Sequence, residues 1–589
     1  MFAFRKRVPD PMDYNLVVVV AYFAFMILIG VLFQRMASRS ASDYFRGGGK
    51  MLWWMVGASA FMTQFSAWTF TGAAGKAYTD GLVVTAVFVG NCVGYLAAWK
   101  WFAARMRQIR VDTPTEAIRR RFGGVNEQFF TWAIIPLSIL NAGVWLNGLA
   151  LFVSAVLGFD LVPTIYATGI AVLLVSLISG AWGVVASDFV QALVVAVVSV
   201  ACAIVALVVV GGPGPMMANY PGGFLVGPNM NYPLLIAGSF LFFFVKQIQS
   251  INNLQDSYRF LNAKDSAQAS KGALFALVLM IVGAMIWFVP PWVAASMIPN
   301  AGAVHAELGS KSADAVYLVF AEKYMPLGTV GLLMAGLFAA TMSSMDSALN
   351  RNAGIFVRSF YAPVLRRNAE PSERELLRAG QAVSIVNGLL ILLMAQFFSS
   401  LTELSLFDLM MNVSTLAQSP ILVPLFFGMF IRRTPVWAPW ATVVFGLVVS
   451  LLLVKVWTPE AIGRWFDVTW TKREASELSV MSNIAAHLFL TGGFFCLTTL
   501  FYRRKDNATQ AATDGFFADL ERPELTDARP TESDIQQRHK LGLIVTAAGA
   551  GLLLMLAIPN PLWGRLLFLG CAASVTLIGV LLLRSARVR

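Results

Sequence analysis

Long apolar stretches alternate with short polar segments along almost the whole chain. Each stretch has about the length that a helix needs to cross a lipid bilayer. The stretches occupy residues 13–34, 51–75, 81–103, 127–157, 160–179, 183–211, 231–257, 271–299, 326–356, 376–400, 402–431, 437–457, 480–502, 541–558 and 563–584. The pattern predicts an all-α membrane protein with about fifteen transmembrane helices, the last two forming a short hairpin.

The polar segments between these stretches differ in charge. Segment 104–125 is rich in arginine, segment 212–230 is uncharged, and segment 503–539 has mixed charge. The last of these has no apolar periodicity, so we expect a flexible cytoplasmic linker there. About three quarters of the 44 Lys and Arg follow odd-numbered helices. The positive-inside rule therefore predicts an N-terminus outside and a cytoplasmic C-terminus. The membrane that we expect is a bacterial inner (plasma) membrane.

Composition narrows the class of function. The 589 residues are 57% hydrophobic and only 13% charged, about half the charged share of a soluble protein. The excess of 44 basic over 32 acidic residues suits membrane orientation better than nucleic-acid binding. The four cysteines all lie in apolar stretches without metal-ligand spacing. No phosphate-binding glycine loop or catalytic constellation is present, so we expect neither ATP-driven transport nor an enzyme.

The ninth apolar stretch carries hydroxyls and an acid inside residues 336–350. On a helix, Ala340, Ser343, Ser344 and Ser347 share one face, and Asp346 lies beside it. Small and hydroxylated residues can serve helix packing alone. A carboxylate at membrane depth is costly and usually marks an ion path.

Three further stretches are polar at membrane depth. The second has glycines on both sides of a polar centre at 63–71, which predicts either a broken helix with free carbonyls or a glycine-rich packed helix. The sixth carries Asp188 and Gln191 on one face. The seventh ends in the polar run 246–256, too polar to face lipid. Two interrupted helices at matching positions of two five-helix halves point to a transporter binding site.

These motifs resemble those of the sodium/solute symporter family, which includes bacterial sugar, proline and sialic acid carriers. The resemblance covers about residues 13–457. It rests on Asp43-Tyr44-Phe45, Trp53-Trp54, Gly57-Ala58-Ser59, Asp188 with Gln191, Arg259, Ala263-Lys264-Asp265, Ala340-Thr341-Met342-Ser343-Ser344 and Leu349-Asn350. It implies the LeuT-type fold, a five-plus-five inverted repeat with one extra N-terminal helix and about three to four extra C-terminal ones.

The resemblance also implies a division of the chain. Its parts are an N-terminal helix and loop (1–50), a first repeat (51–211), an external loop (212–230), a second repeat (231–432), additional helices (433–502), a cytoplasmic linker (503–539) and a C-terminal hairpin (540–589).

Carried over by position, the family's main Na⁺ site implies backbone carbonyls and hydroxyls from two helices. The matching residues are Met62, Phe65, Ala340, Ser343 and Ser344. Some relatives have a second site, matched here by Asp188, Ser343, Asp346 and Ser347.

Asp346 departs from that pattern, because those relatives carry a hydroxyl there. Two nearby carboxylates favour a bridging cation or a shared proton. We therefore expect a second Na⁺ or H⁺ between Asp188 and Asp346. The alternative is that Asp346 faces the cytoplasmic exit and is hydrated.

The substrate should bind between the broken helices at the midplane. Expected lining residues are Gln64, Trp68, Thr69, Asn91, Asn141, Trp145, Gln249, Asn253, Gln255, Asn412 and Gln418. Amides with aromatic walls suit a neutral or zwitterionic solute. Thr69, Phe88 and Gln255 replace residues that the sugar carriers use, which argues against their binding mode. Lys246 could attract a carboxylate, or merely snorkel or pack.

We therefore expect a Na⁺-coupled symporter that imports a small organic solute such as a sugar, polyol or amino acid by alternating access. The alternatives are a transporter-like solute sensor and a carboxylate symporter. Na⁺, the solute and the lipid bilayer are the expected partners, with neither nucleic acid nor an obligate protein partner.

Overall fold

The computed structural model describes residues 14–37, 49–256, 258–298, 300–367, 371–401, 403–503, 507–524 and 530–587. Its described elements are all helical, and an isolated bridge between Met51 and Ala263 is the nearest approach to a sheet among these residues. Helices are expected at membrane depth because a helix satisfies its own backbone hydrogen bonds. The Asp43-Tyr44-Phe45 motif lies outside the described residues.

The described residues of the first half of the chain form ten α-helices. They are α1 Tyr14–Ala37, α2 Trp53–Thr63, α3 Ala67–Phe70, α4 Gly72–Asp80, α5 Thr85–Ala97, α6 Ala103–Gln108, α7 Pro114–Phe122, α8 Gly124–Leu157, α9 Leu161–Val210 and α10 Pro213–Ala218 among the described residues. A 3₁₀ turn, Gly81–Val84, precedes α5, and a π-helical turn, Ala98–Phe102, joins α5 to α6.

The next part repeats the pattern of interrupted and continuous helices. Its described helices are α11 Leu234–Ile251, α12 Tyr258–Leu261, α13 Ser266–Ile286, α14 Val289–Met297, α15 Val316–Tyr324, α16 Thr329–Phe356, α17 Glu373–Ser399, α18 Leu406–Asn412 and α19 Ser419–Phe427. The 3₁₀ segments Ala301–Ala303 and Ala306–Ala315 precede α15, and the π-helical segments Val357–Leu365 and Val413–Gln418 follow α16 and α18.

The remaining described helices follow the two repeats. They are α20 Ala438–Lys455, α21 Pro459–Phe466, α22 Lys472–Ala486, α23 Gly492–Leu497, α24 Asn507–Glu521, α25 Glu532–Leu552 and α26 Leu562–Arg587. The π-helical turn His487–Thr491 precedes α23, and the 3₁₀ turns Thr498–Phe501 and Leu553–Ala557 follow α23 and α25.

Twelve stretches of the described residues are long and apolar enough to cross a membrane. Two shorter apolar helices, Tyr14–Ile29 and Leu161–Leu174, and the half-helix α2 account for the other three of the predicted runs. The predicted spans 160–179 and 183–211 are not separated by a loop, because α9 runs through both. No proline lies between them, so the backbone can remain helical across the junction.

The core of the molecule is the contact between the broken second span and the helices around it. Helix α2 packs against α9, α13 and α16, and α11 packs along α5. At Gly57 an added Cβ would lie 2.5 Å from the carbonyl oxygen of Gly272. Only glycine permits this approach of α2 to α13, which gives the Gly57-Ala58-Ser59 motif a packing reason.

Two ends of the bundle are distinguished by their chemistry. We call the end with the uncharged 212–230 loop and the segment Ala306–Ala315 the lid face. We call the end with the arginines of α7 the basic face. Helix α7 begins with a capping box in which Thr113 and Glu116 each bind the other's backbone N–H.

The expectation of a flexible linker at 503–539 is wrong for its described residues. Helix α24 lies against α6 and α7 on the basic face. Its Phe516 and Phe517 are buried, although the surrounding sequence is polar. Arginines of α6 and α7 form ion pairs with acids of this segment. The sequence of the segment alone does not reveal these stabilising partners.

Candidate functional site

The second span is broken in its polar centre, which is one of the two alternatives that its sequence left open. Helix α2 ends at Thr63, Ser66 is extended, and the one-turn helix α3 follows. The carbonyl of Met62 accepts a long bond, 3.3 Å, from the N–H of Phe65 and a further one from the N–H of Gln64, in place of the regular helical pattern. The break therefore leaves backbone oxygens facing the neighbouring helix α16.

A serine hydroxyl of helix α16 lies close to these carbonyls. The Oγ of Ser344 lies 3.4 Å from the carbonyl oxygen of Met62 and 3.3 Å from that of Phe65. Ser343 is buried, and its Oγ has no hydrogen-bond partner among the described residues. Ala340, one turn before Ser344, is fully buried. Converging neutral oxygens suit a hard monovalent cation, and an unpartnered buried hydroxyl is one further available ligand.

The residues expected at the second cation site come together around an arginine. Ser59 donates to Oδ2 of Asp188, and Nη1 of Arg259 lies 3.9 Å from the same oxygen. Arg259 also donates to the hydroxyl of Ser347 and, at 2.9 Å, to that of Thr63. The guanidinium therefore lies where the sequence led us to expect a cation, a role that its place in a motif did not reveal.

Asp346 is buried and lies within electrostatic reach of Asp188 and Arg259. Its side chain is only 2% exposed, so this residue is not hydrated at an open exit in this conformation. Its Oδ1 has no hydrogen-bond partner among the described residues. An unpartnered buried carboxylate oxygen is a ready ligand for a cation or a proton.

A central cavity lies between the two broken spans. Seven of the eleven expected substrate residues line it, namely Gln64, Trp68, Asn91, Asn141, Trp145, Gln255 and Gln418. Phe88 and Lys246, which the sequence analysis discussed without assigning them to the site, also line it. Further lining residues that sequence reasoning missed include Ser138, Gln247, Arg351 and Ser414. Arg351 was detectable as a charge inside an apolar stretch.

Four expected substrate residues do not line the cavity. Asn253 instead holds the turn after α11: its amide nitrogen donates to the carbonyls of Gln249 and Ser250, and its oxygen accepts from two N–H groups. Thr69, Gln249 and Asn412 do not line the cavity either, although each is adjacent in sequence to a residue that does.

Aromatic rings close the cavity toward the lid face. The ring of Trp68 is stacked between Phe88, at 6.1 Å, and Phe407, at 5.7 Å. Its indole N–H donates to the carbonyl of Leu406 at 3.2 Å. Above it, Oδ2 of Asp314 accepts from the N–H of Leu406 at 3.1 Å.

An ion pair borders the cavity toward the basic face. Nη1 of Arg351 lies 3.7 Å from Oδ1 of Asp256, and its Nη2 donates to Ser138 at 3.2 Å. A smaller adjoining cavity touches both cation clusters through Ser344 and Ser347. The cavity and the cation clusters are therefore neighbours, as coupled binding requires.

Comparison with known proteins gives a consistent result. A family model described as the sodium:solute symporter family matches residues 44–437. The chain is 24% identical over 432 residues to the sodium/sialic acid symporter NanT of Aliivibrio fischeri, which covers 71% of this chain and 83% of the relative. It is 25% identical over 456 residues to the sodium/glucose cotransporter of Vibrio parahaemolyticus, with coverage of 71% and 81%.

A mammalian protein is a further relative, and a solved structure supports the fold. The sodium/myo-inositol cotransporter 2 of Rattus norvegicus is 26% identical over 487 residues, covering 76% of this chain and 71% of the relative. A substrate-bound, outward-open structure of a Na⁺-coupled sialic acid symporter superposes with a TM-score of 0.65 at 19% identity, covering 84% of this chain and 99% of that one. This likeness confirms the predicted LeuT-type fold.

Proposed function

Since this chain belongs to the sodium:solute symporter family, we propose that it imports a small polar organic solute together with Na⁺ by alternating access. The family match and the relatives confirm a multi-pass membrane transporter rather than an enzyme, with Na⁺ as its coupling ion. The names of the relatives include both an acid and neutral sugars or polyols. The family alone therefore leaves the charge of the solute open.

One observation carries the proposed main Na⁺ site. The carbonyls of Met62 and Phe65 converge on the hydroxyl of Ser344 across the break in the second span. A hydroxyl hydrogen cannot bond both carbonyls well at 3.3 and 3.4 Å. A Na⁺ at this point, completed by Ala340 and Ser343, would satisfy all of these oxygens at once.

We assign a second cation to the Asp188 and Asp346 cluster. Two buried carboxylates, of Asp188 and Asp346, and the partly buried carboxylate of Asp256 face two guanidinium groups, those of Arg259 and Arg351. One negative charge is left uncompensated, and a lone buried charge is expensive. One Na⁺ or H⁺ at Asp346 would balance the cluster.

We place the basic face in the cytoplasm of a bacterial cell and the lid face outside. The arginines of α7 and the acids of α24 lie together on the basic face. The distribution of positive charge between the two faces supports this orientation.

The test is uptake into proteoliposomes containing the full-length protein. Labelled sugars, amino acids and carboxylates are offered with an inward Na⁺ gradient or with K⁺ in its place, and accumulation that needs Na⁺ is expected for at least one class. Ser344→Ala should weaken the apparent affinity for Na⁺ in uptake about tenfold or more, equivalent to about 1.4 kcal/mol.

Ser384→Ala is the matched control, because Ser384 is also buried but lies on α17 outside both clusters. Accumulation that is equal in Na⁺ and K⁺ for every solute offered would contradict the proposed function. An unchanged Na⁺ requirement in Ser344→Ala would contradict only the assigned site.

A further inference from the structure

A buried ammonium group lies in the wall of the central cavity. Lys246 is on α11, 6% exposed, and lines the cavity together with Ser414. Its Nζ donates to Oγ of Ser414 at 2.7 Å, and the ring of Phe243 lies 5.9 Å away. The side chain therefore points into the protein and does not snorkel to a membrane surface, one of the alternatives that the sequence left open.

Lys246 differs from the two arginines of this region because no carboxylate among the described residues pairs with it. Arg351 pairs with Asp256, and Arg259 lies beside Asp188. Among the described residues, no carboxylate comes within 4 Å of Nζ of Lys246. The charged residues that line the cavity are Lys246, Asp256 and Arg351. Because the last two form a pair, the cavity presents one unpaired positive charge.

A packing role does not account for this arrangement. A buried ammonium group without an anion is strongly unfavourable, and an apolar side chain would fill the same space at lower cost. Methionines already form the neighbouring wall at positions 410 and 411. An anion that enters only with the transported solute would balance the charge during the part of the cycle in which the cavity is occupied.

The rest of the cavity indicates which kind of anion fits. Ser414 lies in a π-helical segment, Val413–Gln418, and its hydroxyl and the lysine offer two adjacent donors. Asn91 is 3% exposed, and its amide oxygen has no partner among the described residues. Two donors beside an amide oxygen that lacks a partner suit a small solute with one carboxylate and a further polar group.

We propose that Lys246 and Ser414 bind a carboxylate of the transported solute, so that the substrate class is a small organic acid. This inference rests on the proposed function, and it replaces the neutral solute that the many amides led us to expect. The ammonium group supplies the charge, and the hydroxyl of Ser414 turns from Lys246 to the second carboxylate oxygen. Asn91 accepts a hydrogen bond from a hydroxyl or amino group of the same solute.

The experiment compares each acid with its own amide on the full-length protein in detergent with Na⁺. Acetate, lactate, gluconate and proline are titrated beside acetamide, lactamide, gluconamide and prolinamide, and binding is read from thermal stabilisation and tryptophan fluorescence. At least one acid should bind ten times more tightly than its amide. Lys246→Gln should lose this preference, and Lys246→Arg should keep part of it.

The matched control is Lys271→Gln, because Lys271 is exposed near the start of α13. Na⁺-induced stabilisation without solute checks that each variant is folded. Equal affinity for acids and amides, binding of no acid in the panel, or unchanged acid affinity in Lys246→Gln would each overturn the proposal.

The same panel separates this inference from the proposed function. Na⁺-dependent uptake of neutral solutes alone would leave the symporter proposal standing and overturn the carboxylate site. Acid binding that needs Lys246, without any Na⁺-dependent uptake, would do the reverse.

Discussion

At the scale of single residues, Asp314 connects three parts of the lid face. Its Oδ2 accepts from the N–H of Leu406, and its Oδ1 would lie 2.5 Å from a Cβ added at Gly75 on α4. The pKa of Asp314 is raised to about 7, mainly by burial and to a smaller extent by Asp408, against the lowering effects of the Leu406 N–H and Lys311. The carboxyl group therefore titrates close to neutral pH.

We predict that closure of the lid face weakens as the pH rises from about 4 to about 7. The pKa of Asp314 lies above the value of about 3.9 for an exposed aspartate. The closed contact is thus fully stabilised below about pH 4 and loses that stabilisation as the pH passes through about 7. Hydrogen exchange at the Leu406 amide, corrected for its intrinsic pH dependence, measures the effect.

Asp314→Asn should make the corrected exchange independent of pH, since the amide does not titrate. Asp467→Asn, at an exposed position on another loop, should leave the pH dependence intact. A pH profile that is the same in wild type and Asp314→Asn would assign the dependence to another group.

Residue types in the site were more predictable than their contacts. Amides and hydroxyls inside apolar stretches are detectable because they are rare there, and most of the expected ones line the cavity or a cation cluster. The neighbours of Arg259 and Lys246 were not predictable. Which acid meets which base depends on how helices far apart in sequence are rotated against each other.

At the scale of elements, the break in the second span followed from local chemistry. Glycines flank a polar centre, and the helix ends within that centre. The continuity of α9 and the order within 503–539 had no such local signal. Helix α24 is stabilised by partners from α6 and α7, so its own polar sequence resembled a linker.

An ion pair between Arg107 and Glu524 attaches this segment to the transporter core. The two side chains meet in two contacts, at 2.7 and 3.1 Å, and Arg107 is buried. Two-point pairing of arginine with a carboxylate is the stronger form of this interaction. Glu524 also bonds through its backbone to Ser266 at the start of α13, so the segment joins both repeats.

We predict that Glu524→Gln loosens the segment 507–524 from the basic face. Loss of the charge leaves Arg107 without its carboxylate, at a cost of about 1 kcal/mol, or about fivefold faster amide exchange in α24. Exchange measured by mass spectrometry on the full-length protein tests this.

Glu521→Gln is the matched control on the same segment. Its pair with Arg432 is exposed on both sides, and exposed pairs contribute little. Arg107→Gln combined with Glu524→Gln should add little to either change alone. Fully additive effects would mean that the two side chains act independently.

At the scale of the whole molecule, the buried charges set the electrical balance of the cycle. Each charge that enters through 100 mV contributes about 2.3 kcal/mol. A carboxylate carried with one Na⁺ moves no net charge, so the membrane potential would not drive its uptake. With a second cation at Asp346, one positive charge enters with each solute.

We predict that Asp346→Asn lowers the charge moved per solute by one. The variant makes the cluster of Asp188, Asp256, Arg259 and Arg351 neutral without the second cation. Uptake and current recorded together in proteoliposomes give the ratio, with Asp467→Asn as control. An unchanged ratio would exclude Asp346 as a coupling site.

The architecture as a whole was the most predictable level. Apolar runs of membrane length recur throughout the chain, and the requirement for internally satisfied backbone bonds leaves few folds available to them. Conformation was not predictable in the same way. The stacking of Trp68 between Phe88 and Phe407 belongs to one arrangement of these helices, and the proposed alternating access would require at least one other.

The position of Arg259 makes this residue an internal competitor of the second cation. Its guanidinium lies beside Asp188 while it bonds Thr63 of the broken span and Ser347 of α16. The second cation that we propose between Asp188 and Asp346 would have to compete with this tethered guanidinium for Asp188, so its apparent affinity would contain the cost of moving the arginine away. Moving the guanidinium would also break its hydrogen bond to Thr63. Binding of the ion would then be coupled to the freedom of the broken helix to move.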